Sequence, residues 1–177
     1  MYNKPIPTLG MTLLELLTTV CIIGVVLSFA VPSFTDIIRE NRMSTIANQL
    51  VAALAYARTE AITRGVQVTM KHKDDTPQVW DSGWDIFTDN NRNGVLDISD
   101  KLLKTGEMLP YGYTLRTGAN YANWVAYRET GGFRSSSGFV NDTFRLCDST
   151  RQRKKSRAII IKMGRVRTEA NKVNQCP

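Results

Sequence analysis

The side chains of this 177-residue chain best suited to chemistry are cations crowded into its last fifth. Residues 145–177 hold 10 Lys and Arg against 2 Asp and Glu, whereas residues 1–144 hold 13 against 14, so the formal net charge of +7 resides at the C-terminal end. Arg151, Arg153, Lys154, Lys155 and Arg157 precede an apolar stretch, and Arg165 and Arg167 follow it. A hairpin there is expected to bring both clusters to the same end of a sheet. Strand alternation puts Ile159, Ile161 and Met163 on the core face and Ile160 and Lys162 on the other. Unbroken, it would bury Arg165 and Arg167. Gly164 can take a positive φ, so a turn or bulge there is expected to reset the parity and swing both guanidiniums outward on a protruding loop. Guanidiniums at alternate positions fork onto phosphate oxygens, so the candidate set Lys154, Lys155, Arg157, Lys162, Gly164, Arg165 and Arg167 suits a polyanion such as DNA. Without base-reading groups, binding is weak, sequence-independent and falls with salt. No aromatic residue interleaves with these cations, which argues for duplex over single strands. The same charge also suits a solvated tail, anionic lipid or an acidic protein partner.

Other candidates carry less. Asp89-Asn90-Asn91-Arg92-Asn93-Gly94-Val95-Leu96-Asp97-Ile98-Ser99-Asp100 fits a calcium loop at positions 1, 3, 5, 6 and 9, but Asp stands in place of the bidentate Glu at position 12. Arg92 adds positive charge, neither flank reads as a helix, and Asn-Gly makes a hairpin turn more simply. His72, the only histidine, lies between Lys71 and Lys73 without a nucleophile partner, so an exposed histidine at a strand end is expected. We expect no catalytic site, no metal, no cofactor and no enzyme.

Of three cysteines, Cys21 sits in an apolar run and behaves as a small hydrophobe, leaving Cys147 and Cys176 as the plausible pair. Such a bridge implies an oxidising compartment and contributes about 3 kcal/mol in the chain-entropy model. Two unpaired thiols in a reducing compartment are the alternative.

The elements that position these groups follow from periodicity. Between Leu13 and Val31 the only ionisable side chain is Glu15, and that stretch spans roughly 28 Å as a helix, about a hydrocarbon thickness. Beyond Pro32, Met43, Ile46, Leu50, Leu54, Ala57 and Ala61 recur at helical steps opposite a polar face with Arg39, Glu40, Arg42, Asn48 and Arg58, until Gly65 ends the pattern. The spacing predicts one helix, half membrane span (11–31) and half amphipathic scaffold (32–64), before a β-rich domain over 65–177. Strands are expected at 66–71, 83–88, 102–107, 112–117, 123–127, 143–147 and 157–163, with the Gly/Ser-rich 131–138 as a loop. A long helix packed on an antiparallel sheet, an α+β fold, buries both apolar faces.

An ordinary secretory signal is one reading of the N-terminus, with Lys4 before the apolar run and Ser28-Phe29-Ala30 as cleavage site. A carboxylate early in that run argues against it, because an unpartnered charge in hydrocarbon is costly. The short leader ending in Gly10, then Met-Thr-Leu-Leu-Glu and an apolar helix with Pro32, instead resembles the signal of type IV pilins and pseudopilins. Met11 stands where Phe is usual. The resemblance implies cleavage between Gly10 and Met11 by a prepilin peptidase, methylation of the new terminus, and retention of the helix for assembly. It also implies that Glu15 pairs with the N-terminal amine of a neighbouring subunit. The residues alone leave a plain anchor with a snorkelling Glu15 open.

Farther on, "GWDIFTDNNRNG", "GGFRSSSGFVNDTFRLCD" and "RAIIIKMGRVR" resemble the FimT/GspH branch of minor pilins and pseudopilins. Gly164-Arg165-Val166-Arg167 matches a Gly-Arg-x-Arg motif associated with DNA binding in FimT-like proteins. The resemblance implies a type IV pilin-like fold and a single-pass bacterial inner-membrane protein. Its periplasmic domain would be incorporated into a surface pilus and capture DNA for natural transformation. Expected partners are DNA, other pilin subunits, the prepilin peptidase and the inner membrane. The alternative is a structural pseudopilin of pilus assembly or type II secretion that binds no nucleic acid.

Overall fold

Helical periodicity, a glycine stop and strand alternation account for the architecture of the computed structural model, which describes residues 10–149, 155–170 and 176. One helix, α1 (Leu13–Arg64), is followed by β1 (Val68–His72), β2 (Trp84–Thr88), β3 (Leu102–Thr105) and β4 (Tyr113–Arg116). After a short 3-10 turn at Ala119–Tyr121 come β5 (Trp124–Tyr127), β6 (Phe133–Ser135), β7 (Asp142–Asp148), β8 (Lys155–Lys162) and β9 (Arg165–Ala170). The chain divides into two units, Met1–Arg42 and Met43–Pro177.

In the first unit α1 is long and apolar enough to cross a membrane, with Leu14, Leu17, Val20, Ile23 and Val26 exposed. Its start is held by a capping box: Glu15 N–H donates to Thr12 Oγ1 at 3.2 Å, and Thr12 N–H donates to Glu15 Oε2 at 3.0 Å. Glu15 therefore reaches back to the amide one residue beyond Met11. Arg39, expected on the solvent face, is 8% exposed and pairs with Asp36 at 3.7 Å; a long stem lets Arg bury its methylenes while its head is paired.

In the second unit Met43, Ile46, Leu50, Leu54, Ala57 and Ala61 are all buried. Gly65, at φ +68, donates its N–H to Ala61 O at 3.0 Å and closes the helix in the left-handed conformation that glycine adopts without strain. The apolar stripe meets two antiparallel sheets, ordered β3-β2-β1-β5-β6 and β4-β7-β8-β9, through one core that includes Trp80, Tyr121, Phe144, Ile159 and Ile161. Trp80 packs edge-on against Phe144 at 5.0 Å between ring centroids. Cys147 and Cys176 form a disulfide across 29 positions, fixing Cys176 to β7.

Four expectations are corrected. The Gly/Ser-rich 131–138 contains β6, because Phe133 and Ser135 alternate inward beside β5. Arg165–Ala170 is strand rather than loop. Asp89–Asp100 is a long connection between β2 and β3, not a two-residue hairpin turn. Asp89, with zero exposure, organises it by accepting from Gln67 Nε2, Thr69 Oγ1 and the N–H groups of Asn93 and Gly94. Gly94 is required there, since a Cβ would lie 2.1 Å from Trp124 Nε1 at φ +72. Among the described residues no three His, Cys, Asp or Glu side chains converge as a metal set.

The fourth correction is His72, which is buried, not exposed. It shares strand parity with Val68 and Met70, and its ring lies 5.4 Å from that of Trp80. Among the described residues neither ring nitrogen makes a hydrogen bond of normal geometry. Burial holds its pKa below the ordinary value, outweighing attraction from Asp74. The unfolded chain thus takes the proton more readily. This contribution to stability is full above the unfolded pKa of about 6.5 and declines as pH falls below it. Urea unfolding should show lower stability at about pH 5.5 than at pH 7.5, and His72→Gln should flatten that difference.

Candidate nucleic-acid interface

β8 is an interior strand between β7 and β9, and it faces the core through Ile159 and Ile161, both with zero exposure. It turns into β9 through two residues only. Met163 and Gly164 sit at φ +50 and +78, the paired positive dihedrals of a tight hairpin turn whose twist matches its strands. Such a turn sets Lys162 opposite Arg165, Ile161 opposite Val166 and Ile160 opposite Arg167. Residues directly opposite share a face, so Val166 joins the core while Ile160, Lys162, Arg165 and Arg167 face outward. This is how the parity resets at Gly164. Met163, expected in the core, is instead 82% exposed because it occupies the turn.

Lys162, Arg165 and Arg167 are exposed. Among the described residues the side chains of Lys162 and Arg165 make no hydrogen bond or ion pair, whereas Arg167 Nη2 lies 2.6 Å from Glu169 Oε1. That pair is formed along one strand, with the Arg167 side chain 66% exposed. Ion pairs exposed on one side, as this one is at Arg167, contribute only about 0–1 kcal/mol.

Among the described residues, the other basic residues of the candidate set do not join them. An antiparallel hairpin sends Lys155 to the end opposite the turn, beyond Arg157 and Ala170, roughly 23 Å along the strand from Lys162. Arg157 is half-buried on the same face as Ile159 and Ile161. Lys155 and Arg157 are thus separated from the turn along the hairpin, and Arg151, Arg153 and Lys154 lie outside the described residues. Away from the turn, level with Ala158 and four residues along β8 from Lys162, the sheet carries cations that sequence order hides. Arg145 on β7 and Arg116 on β4 stand opposite each other on the outward face, Arg145 beside Ala158 of β8. Arg116 is paired with Asp81. Only strand register could have located them, because nearly 30 residues separate the two in sequence.

The chain matches the family described as type II transport protein GspH over residues 47–164, so the match stops immediately before Arg165. No curated protein matches. Two crystal forms of the type IV minor pilin FimU of Pseudomonas aeruginosa share the fold. One is 20% identical with a TM-score of 0.55, covering 76% of this chain and 96% of FimU. The other is 21% identical with a TM-score of 0.52, covering 73% and 97%. With one long N-terminal helix, an antiparallel α+β body and a match across two thirds of its length, the chain belongs to the GspH family.

Proposed function

We propose that this protein is a membrane-anchored minor pilin that captures DNA without reading its sequence, on the turn end of the β8–β9 hairpin, and so supports DNA uptake in natural transformation. The observation that carries this reading is the outward presentation of Lys162, Arg165 and Arg167 by the Met163-Gly164 turn. Three phosphate contacts give log K falling against log salt with a slope of about −2.7 on duplex DNA. Fluorescence anisotropy of labelled DNA with the full-length protein in nonionic detergent, across a salt series, measures that slope. Absent binding at low salt, or binding indifferent to salt, overturns the reading.

In the same reading the leader is cleaved after Gly10 by a prepilin peptidase, freeing the Met11 amine. Glu15, already turned back toward residue 12, pairs with the amine of a neighbouring subunit in the inner membrane. The body lies in the periplasm until the subunit enters a surface pilus. The disulfide suits that oxidising compartment.

Glu169 competes with phosphate for Arg167. Glu169→Gln should therefore raise DNA affinity about twofold to fivefold, consistent with an exposed pair of up to about 1 kcal/mol. Unchanged or weaker binding in the same anisotropy assay would remove Arg167 from the contact.

A second reading is a structural pseudopilin of type II secretion without nucleic-acid binding, favoured by the description of the matched family. The salt series separates the two.

A further inference from the structure

The turn that presents the cations also presents apolar surface. Met163 is 82% exposed and Phe139, on the β6–β7 connection, 68%. Several hydrogen bonds hold the two segments together. Met163 N–H donates to Asn141 Oδ1 at 3.0 Å. The buried Tyr121 hydroxyl donates to Val140 O at 3.0 Å and reaches Ile161 O at 3.5 Å, so the neighbours of Phe139 and of Lys162 share one phenol. The Phe139 backbone is itself tied down: its N–H donates to Ser137 Oγ at 3.3 Å, and its carbonyl accepts from Ser135 Oγ. An aromatic ring is thus held in solvent, on a fixed backbone, within two residues of the segment that abuts the cationic turn. Phe133 and Phe144, on the flanking strands, are buried.

We propose that Phe139 is a base-stacking contact of this interface, so that its ligand is DNA with unpaired bases, a single strand or a frayed end. The proposal rests on the reading of the hairpin as a DNA-binding surface. Cations alone hold phosphates of either strand state. A ring beside them adds a partner for the face of a base, and in intact duplex those faces are occupied by neighbouring base pairs. The basic tail by itself argues for duplex. The fold adds the aromatic group that the tail lacks.

The test compares full-length wild type, Phe139→Ala, Phe139→Leu and Phe139→Trp in nonionic detergent. Their affinities are measured for labelled oligothymidine of about 16 nucleotides, the upper site size of one single-strand-binding domain, and for duplex of equal length. Stacking predicts that Ala and Leu weaken single-strand binding at least about fivefold, that Trp retains it, and that duplex affinity is unchanged in all three. Leu keeps apolar bulk without a π-face, so it separates stacking from simple hydrophobic contact. Equal loss for both DNAs, no loss for either, or full retention by Leu overturns the stacking contact while wild-type duplex binding leaves the hairpin reading standing. Wild type that binds neither DNA at low salt overturns the hairpin reading and the stacking with it.

Discussion

Asp89→Ala is expected to destabilise the second unit by about 3–5 kcal/mol, the largest stability effect of any exchange considered. Its carboxylate is wholly buried and accepts from Gln67 Nε2 at 2.9 Å, Thr69 Oγ1 at 2.6 Å, Asn93 N–H at 3.0 Å and Gly94 N–H at 3.0 Å. Alanine removes both acceptor oxygens, and with them all four bonds, at once. Each buried donor left unsatisfied costs about 1–3 kcal/mol, less for those near solvent that water can reach, as at the exposed Asn93. The consequence spreads, because the loop start, β1 and β2 meet at this one side chain. Thermal unfolding should show a midpoint lower by roughly 10 °C. Asp89→Asn should cost less, since its carbonyl oxygen keeps one acceptor. A loss below about 1 kcal/mol for the alanine variant would mean that these bonds do not hold the loop.

Arg165→Gln with Arg167→Gln is expected to reduce DNA affinity on the order of 10²-fold at low salt while leaving the fold intact, since both side chains are exposed. The salt slope should become shallower by about 1.8, the share of two phosphate contacts. The two singles should differ. Arg165 has no carboxylate partner among the described residues, whereas Arg167 must first leave Glu169, so Arg165→Gln should cost more than Arg167→Gln. Equal losses, or a double variant with an unchanged slope, would place the contact elsewhere. The double variant also separates this site from the far end of β8, where Lys155 remains.

Legibility from sequence varied with how strongly one face of each element is buried. The helix, its end at Gly65 and seven of the nine described strands follow from residue pattern; Met43 to Ala61 and residues such as Met70, Ile86 and Ile159 leave no doubt which side is inside, while β3 was legible without a buried residue. β9 escaped because Val166 is the only residue of Arg165–Ala170 packed against the core, so a charged edge strand reads as loop. β6 escaped because three residues among glycines and serines carry too short an alternation. His72 was misread from its neighbours Lys71 and Lys73, although its parity with Val68 and Met70 carried the answer. The parity flip at Gly164 was legible, since only a turn there keeps two arginines out of the core. The separation of Lys155 from Arg165 required the hairpin register, which two residues of turn decide. The placing of Arg145 opposite Arg116 and beside Ala158 depends on strand order, which no local pattern encodes.

The central claim is that the turn end of the β8–β9 hairpin is where DNA touches this protein. Its most direct test is a titration of isotopically labelled full-length protein in detergent with DNA, following backbone amides by solution NMR. The account predicts shifts concentrated at Lys162, Met163, Gly164, Arg165 and Arg167, spreading to Phe139 with single strands, and quiet amides in the Asp89–Asp100 loop. Shifts confined to the Lys155 end or to that acidic loop, with the turn unmoved, would contradict it.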